Sequence, residues 1–314
     1  MINWGILGLG RMGVTFANAI GETTNSKLIC VASNSGKKFK EFKNFSYDDL
    51  IHNNKVDAIY ISTLNNTHTN LIKKISQTGK KILCEKPISL SLESLIEVKK
   101  LIVKKKISLY EAIAYYSHPQ TKEILKLLRE NEIGEIISIE SNFGFKSKFK
   151  PNSRLFNKSL GGGSIYDLGC YPLSFFMLFV EDFKKVSVKS KFLNYANSGV
   201  DDDASIILDY NNKFQGKLHV SLKSHLNNVC IIYGTKGYIK INEPWLPNKK
   251  TNIEVCSNNH FFLKTINSNL SVYANQIQNV SESFMNDNND KYLFDINKSL
   301  TMMKLIENWL KKES

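Results

Sequence analysis

A glycine turn and two distant polar segments hold the residues of this sequence with the clearest chemical potential. Gly8-x-Gly10-x-x-Gly13 directly follows an apolar run and opens an amphipathic one. In that setting Gly8 permits a tight turn, Gly10 lets the backbone approach a pyrophosphate, and Gly13 lets a helix pack closely on a strand, with helix N-terminal amides receiving the negative charge. The expected ligand is a dinucleotide. The next apolar run ends Ala32-Ser33-Asn34-Ser35-Gly36-Lys37-Lys38, with no carboxylate to bind the adenine ribose or repel a 2′-phosphate. Donors at Ser33 and Asn34, with Lys37 and Lys38, suit NADP better than NAD. Glu85 and Lys86 stand between the apolar run Ile82-Leu83-Cys84 and Pro87. A charged pair is thereby displayed at the carboxyl end of a strand, where an open parallel sheet binds its ligand; a solvated strand end is the alternative. In Gly161-Gly162-Gly163-Ser164-Ile165-Tyr166-Asp167-Leu168-Gly169-Cys170-Tyr171-Pro172, Asp167 and Tyr171 are four apart and share one helix face. Pro172 removes the backbone bond to Leu168 and bends the helix near Tyr171.

The elements that must position these residues follow from periodicity. Strands are expected at 2–7, 27–33, 58–62, up to Cys84 and at 107–111, and helices at 14–20, 37–42, 47–52, 67–78 and 91–104. Strands alternating with helices mean crossover units and a doubly wound parallel sheet. That domain is expected to occupy residues 1–118, ending near His118-Pro119. Residues 119–314 change character: helices at 120–131 and from the glycine-rich segment to Val180, with strands at 135–145, 184–193, 203–210, 214–222, 229–234, 238–241 and 253–256. Short polar turns between those strands predict a mixed or antiparallel sheet. Helices at 272–286 and 292–312 end the chain.

Length and composition narrow the functional classes. A chain of 314 residues exceeds the usual single core, and 42% hydrophobic content can fill two. No apolar stretch reaches the ~18 residues of a membrane span, and the first strand begins at once, so a cytoplasmic protein without a signal peptide is expected. Five cysteines without CxxC spacing predict neither disulfides nor a zinc site, and no metal is expected. The +13 charge is lysine with only three arginines, Arg11, Arg129 and Arg154. Without the guanidinium fork that reads bases and phosphates, nucleic acid is not the expected partner; an anionic substrate or cofactor remains compatible.

Four segments occur together in matching order and spacing: Gly8-Leu9-Gly10-Arg11-Met12-Gly13, Cys84-Glu85-Lys86-Pro87, Tyr110-Glu111-Ala112 through His118-Pro119-Gln120, and Gly161 through Pro172. From Ile2 to about Phe179 the chain resembles the Gfo/Idh/MocA oxidoreductases. Tyr171-Pro172 and Glu111-Ala112 are similar to the branch of dimeric dihydrodiol dehydrogenase, NADP-dependent D-xylose dehydrogenase and glucose-fructose oxidoreductase.

The resemblance implies a Rossmann domain followed by an α+β domain on a large, open, mostly antiparallel sheet. It implies hydride transfer between NADP or NAD and a secondary alcohol or ketone of a sugar, polyol or sugar derivative, with Lys86 and Tyr171 acting at the substrate. A phenol of ordinary pKa near ~10 is a weak base at neutral pH, and a nearby ammonium such as Lys86 would stabilise its phenolate. Asp167 binds a neighbouring hydroxyl, holds Lys86, or makes a helix-face hydrogen bond. The implied cofactor contacts are Gly8, Gly10, Arg11, Met12, Gly13, Ser33, Asn34, Lys37, Lys38, Thr63, Asn65, His68, Glu85 and Lys86. His68, in the first turn of a helix, is expected to be a structural residue beside the cofactor, not a catalyst. Leu64 and Tyr116 depart from the family's usual proline and arginine; the second bears on the substrate. Exposed C-terminal strands imply a homodimer or homotetramer. A cofactor-retaining lyase or glycosidase and a dinucleotide-binding sensor are the competing readings.

Overall fold

Runs such as Ala58-Ile59-Tyr60-Ile61 are apolar at every position, so only a strand covered on both faces can bury them. In the computed structural model, which describes residues 1–34, 36–288 and 290–311, all four are buried. The chain begins β1 (Ile2–Leu7), α1 (Arg11–Ala19), β2 (Ser26–Ala32), β3 (Asn44–Phe45), α2 (Tyr47–Ile51), β4 (Ala58–Ile61), α3 (His68–Ile75), β5 (Lys81–Cys84), α4 (Leu92–Lys105) and β6 (Leu109–Glu111). These strands pair in parallel in the order β6-β5-β4-β1-β2-β3. Chain order reverses at β1, between β4 and β2, and such a switch point is where open sheets of this kind bind ligands.

Local chemistry fixes the crossovers. Ser91 caps α4 by accepting the Ser94 amide at 3.3 Å, Glu93 lies in the first turn, and Lys104 and Lys105 lie in the last, each sign matched to the helix dipole. The helix expected at 37–42 does not form. Gly36 and Lys40 take positive φ of 69° and 48°, and the Phe42 amide closes a tight turn onto the Phe39 carbonyl at 3.1 Å.

The second stretch contains α5 (Pro119–Arg129), β7 (Ile136–Gly144), α6 (Cys170–Met177), β8 (Val186–Tyr195), β9 (Asp201–Tyr210), β10 (Phe214–Ser221), β11 (Cys230–Gly234), β12 (Gly237–Ile241), β13 (Lys250–Ser257) and β14 (His260–Asn267). The eight strands lie in the order β14-β13-β12-β11-β7-β10-β9-β8, antiparallel except for β7 with β10. Phe176 of α6 fits because position 216 of β10 is glycine: a Cβ there would meet the Phe176 ring at 2.5 Å. β14 was not foreseen, since its exposed Phe261, Phe262 and Leu263 break the alternation of a half-buried strand.

The chain ends with α7 (Val272–Asn286), β15 (Phe294–Asp295) and α8 (Ile296–Leu310). Here the structure corrects the expected division at 118/119. One compact unit comprises Met1–Ser117 with Asn269–Leu300, and the other His118–Ser268 with Thr301–Ser314. Ala274, Ile277, Val280 and Phe284 of α7 complete the core around Trp4, Phe16 and Tyr60. Inside it, the Trp4 indole N–H donates to Ser281 Oγ at 3.0 Å. β15 then pairs antiparallel with β6, which is why the last helix starts at Ile296 and not at 292. Lys312, its expected end, lies outside the described residues.

Candidate active site

The turn after β1 is shaped by what glycine omits. Gly8 has φ +98°, and a Cβ there would lie 2.7 Å from the Ser62 carbonyl oxygen. Ser62 Oγ donates to the Gly8 carbonyl at 2.7 Å, tying the turn to the end of β4. Position 10 is open: the nearest heavy atom to a Cβ would be the Ser62 carbonyl oxygen at 4.0 Å. Gly10 gives α1 no side-chain cap, and no acidic residue lies in its first turn, so the leading amides keep their donors for an anion. Backbone donors beneath open space fit a dinucleotide pyrophosphate. Arg11 is exposed and Met12 half-buried at the start of α1. At the end of β2, Ser33 is half-buried, and Asn34, Lys37 and Lys38 are exposed; Ser35 lies outside the described residues.

A network within the same unit surrounds the end of β5. Tyr60, 2% exposed, stacks on Phe16 at 3.9 Å and donates its hydroxyl to Glu85. The Glu85 amide continues the ladder to Ile61 at 2.9 Å. Lys86, half-buried, precedes a cis peptide bond to Pro87. Thr63 and Thr67 join through their hydroxyls at 2.6 Å, and Asn65 lies in the 3₁₀ turn between them.

His68 is fully buried, with Nδ1 2.9 Å from the Pro87 carbonyl and Nε2 3.3 Å from the Thr63 carbonyl. A neutral ring carries one N–H and donates to one of these two carbonyls. Burial pushes the imidazole pKa down, Lys86 pushes it the same way, and the two carbonyls oppose them, leaving a neutral ring. His68 therefore fastens the loops after β4 and β5 to each other. As a direct cofactor contact it is corrected, because its side chain has no exposed surface.

Two groups near Lys86 escaped the sequence reading. Glu111, 2% exposed, accepts the Ile88 amide at 3.1 Å through Oε1, while Oε2 has no partner among the described residues. Burial raises its pKa to about 7; the Ser299 and Ile88 bonds and Lys86 lower it, and Glu85 raises it. Tyr273 of α7 is half-buried against the core. Burial raises its hydroxyl pKa, Glu85 adds to that, and Arg11 and Lys86 oppose it, which puts all four in one electrostatic neighbourhood. No local pattern signals that position 273 lies near position 86.

In the other unit, Asp201 anchors the glycine-rich segment. Its Oδ2 accepts Ser164 Oγ at 2.6 Å and the Ile165 amide at 2.7 Å, and Gly163, at φ +124°, leaves it room. Ile165–Gly169 forms a wide π-helical turn that runs into α6. Pro172 has no amide for the Leu168 carbonyl, and the wider turn sits where that register changes. Asp167 and Tyr171 thus straddle a π-to-α junction and not one face of a straight α-helix. Asp167, 8% exposed, accepts Arg154 Nη1 at 2.8 Å. The Tyr171 ring, half-buried, meets Phe143 edge-on at 5.1 Å and lies 6.1 Å from Trp245, whose indole N–H donates to the Asn142 carbonyl at 3.1 Å.

Residues 2–112 match the profile of an oxidoreductase family with an NAD-binding Rossmann fold, and residues 121–240 match the GFO/IDH/MocA C-terminal domain. A trans-1,2-dihydrobenzene-1,2-diol dehydrogenase of Xenopus tropicalis is 31% identical over 256 residues, covering 78% of this chain and 76% of the relative. The chain belongs to the Gfo/Idh/MocA family. A D-xylose 1-dehydrogenase (NADP(+)) of Haloferax volcanii is 27% identical over 197 residues, 63% of this chain and 60% of that one. Among solved structures, a 3-ketoreductase from Actinomadura kijaniata, crystallised with NADP and TDP-benzene, superposes with a TM-score of 0.88 at 20% identity, covering 98% of this chain and 96% of that chain. As a Gfo/Idh/MocA protein the chain is an NAD(P)-dependent oxidoreductase with a Rossmann domain and a mostly antiparallel second sheet. Among the described residues no helix is long and apolar enough to cross a membrane.

Proposed function

We propose that the protein interconverts a secondary hydroxyl and a ketone on a carbohydrate, cyclic diol or sugar derivative, using NADP(H) in preference to NAD(H). The observation that carries this reading is the network around Lys86: an ammonium at the carboxyl end of β5, beside a carboxylate held by Tyr60 and in the same unit as an open, donor-rich glycine turn. The relatives named for diol and xylose dehydrogenation favour the substrate class. The NADP preference rests on the exposed Lys37 and Lys38, on the absence of a carboxylate among residues 33–38, and on the cofactor in the xylose enzyme's name.

In this mechanism Gly8, Gly10, Arg11, Met12 and Gly13 hold the cofactor's pyrophosphate. Ser33, Asn34, Lys37 and Lys38 receive its adenosine end, and Thr63, Asn65 and Glu85 shape the middle of the site. When bound, the nicotinamide supplies or accepts the hydride. Tyr171 takes the hydroxyl proton on oxidation and returns it on reduction. Lys86 lowers the cost of the phenolate and orients the substrate oxygen. Asp167, bonded to Arg154, orients a neighbouring substrate hydroxyl. Residues 1–117 with 269–300 serve the cofactor. Residues 118–268 serve the substrate and, through exposed strands such as β14, a homodimer or homotetramer.

The test is NADPH against NADH binding by fluorescence, then turnover with sugars, inositols and trans-diols. NADPH binding with oxidation or reduction of at least one such substrate is expected. Tight retention of cofactor through purification with no net NADPH change would move the reading to redox-assisted elimination.

A further inference from the structure

We propose that the substrate is anionic, bearing a phosphate or carboxylate that Arg154 and the basic segment leading to it receive; this rests on the function proposed above. From Ser141 through Tyr166 there is no acidic residue, while Lys146, Lys148, Lys150, Arg154 and Lys158 fall within 13 positions. All five are exposed. Elsewhere in the same unit lysines face carboxylates: Lys217 with Glu140 at 2.8 Å, Lys240 with Glu254 at 3.2 Å, and Lys264 with Glu123 at 3.0 Å. Lys146, Lys148, Lys150 and Lys158 have no such partner among the described residues, so the lysine-rich composition alone does not account for the patch.

Arg154 joins this charge to the chemistry. Its Nη1 donates to the buried Asp167 carboxylate at 2.8 Å, yet 46% of the side chain stays exposed. The basic segment is therefore pinned to the π-helical turn that precedes Tyr171. A planar guanidinium with one corner fixed presents its other N–H groups in the geometry that binds an oxyanion through two parallel bonds. A neutral sugar gains little from such a fork. The +5 of the segment repels itself unless an anion is present.

The experiment compares matched pairs with NADPH-loaded or NADP-loaded enzyme: D-glucose with D-glucose 6-phosphate, and D-galactose with D-galacturonate. The anionic member should have a kcat/KM higher by roughly ten-fold or more, the worth of one or two charge-assisted hydrogen bonds. Added salt should shrink the advantage. Arg154→Gln and the combined Lys146→Gln, Lys148→Gln, Lys150→Gln variant should erase most of it through KM, and Arg154→Lys should keep part. A preference for the neutral member, or an Arg154→Gln loss equal for both, would overturn the proposal and leave Arg154 as a prop for Asp167. If neither pair is turned over, calorimetric titration of the NADPH-loaded protein with inorganic pyrophosphate decides. Saturable binding weakened in the lysine variant supports the anion site, and absence of binding refutes it. NADPH fluorescence in the same samples reports separately on the function proposed above.

Discussion

The carbonyl oxygen of Gly8 fills the space where a side chain on Gly13 would begin, since a Cβ there would lie 2.0 Å away. Gly10 is the converse, with nothing nearer than 4.0 Å and φ of −70°. The two glycines should therefore fail differently. Gly13→Ala forces α1 off β1 and should lower the melting temperature and cofactor binding together. Gly10→Ala should fold with an unchanged melting temperature, yet bind NADPH roughly ten-fold more weakly, because the new methyl sits where a pyrophosphate must approach the amides. Equal NADPH affinity in Gly10→Ala and the parent protein would remove the cofactor from this turn.

Removing either proposed proton-handling group should slow turnover while leaving the cofactor seated. Lys86→Met and Tyr171→Phe are expected to reduce kcat by about 100-fold or more, the usual worth of positioned acid–base catalysis. The NADPH affinity of Tyr171→Phe should stay within a few-fold, since the ring contact with Phe143 at 5.1 Å needs no hydroxyl. Undiminished kcat in either variant, at saturating substrate, would reassign the proton chemistry.

The C-terminal segment should be indispensable to the dinucleotide-binding unit. Phe284 is fully buried, 5.8 Å from the Trp4 ring and 5.6 Å from that of Tyr110. Phe284→Ala is expected to destabilise the first unit by about 3–5 kcal/mol. A chain ending at residue 118 should be insoluble or unfolded by circular dichroism. A cooperatively folded 1–118 fragment that binds NADPH would show α7 to be dispensable.

That dependence marks the limit of what the sequence disclosed. The glycine turn and the strand ending at Cys84 were legible because turn chemistry and hydrophobic period act over a few residues, whereas the π-helical turn between Asp167 and Tyr171 was not. The apolar stripe of α7 was equally visible, but a stripe does not name its partner, and Trp4 lies 277 positions from Ser281. A helix is expected over Lys37 to Phe42, but Gly36 and the left-handed Lys40 break it. The burial of His68 against the Pro87 carbonyl joins two loops that no spacing brings together. Tyr60, Glu111 and Tyr273 were missed as site residues because each gains its meaning only across strands or helices.

Glu111 should make stability depend on pH in the direction opposite to an ordinary surface carboxylate. Its pKa rises on folding from 4.5 to about 7, chiefly through burial. The folded state thus holds the proton more tightly than the unfolded chain. The associated stability is fully present below the unfolded value and is lost as pH rises through the folded one. The upper bound is about 3.5 kcal/mol, from roughly 1.4 kcal/mol for each tenfold gain in proton affinity. Glu111→Gln stays neutral and keeps an oxygen for the Ile88 amide, 3.1 Å away. The parent protein should lose melting temperature between about pH 4.5 and about pH 7 and level off above that, and Glu111→Gln should lose distinctly less. Subtracting the two profiles cancels the histidines, whose lowered pKa values act in both proteins alike. Parallel profiles would mean that Glu111 ionises freely, and that the Ile88 amide and Lys86 suffice to hold its charge.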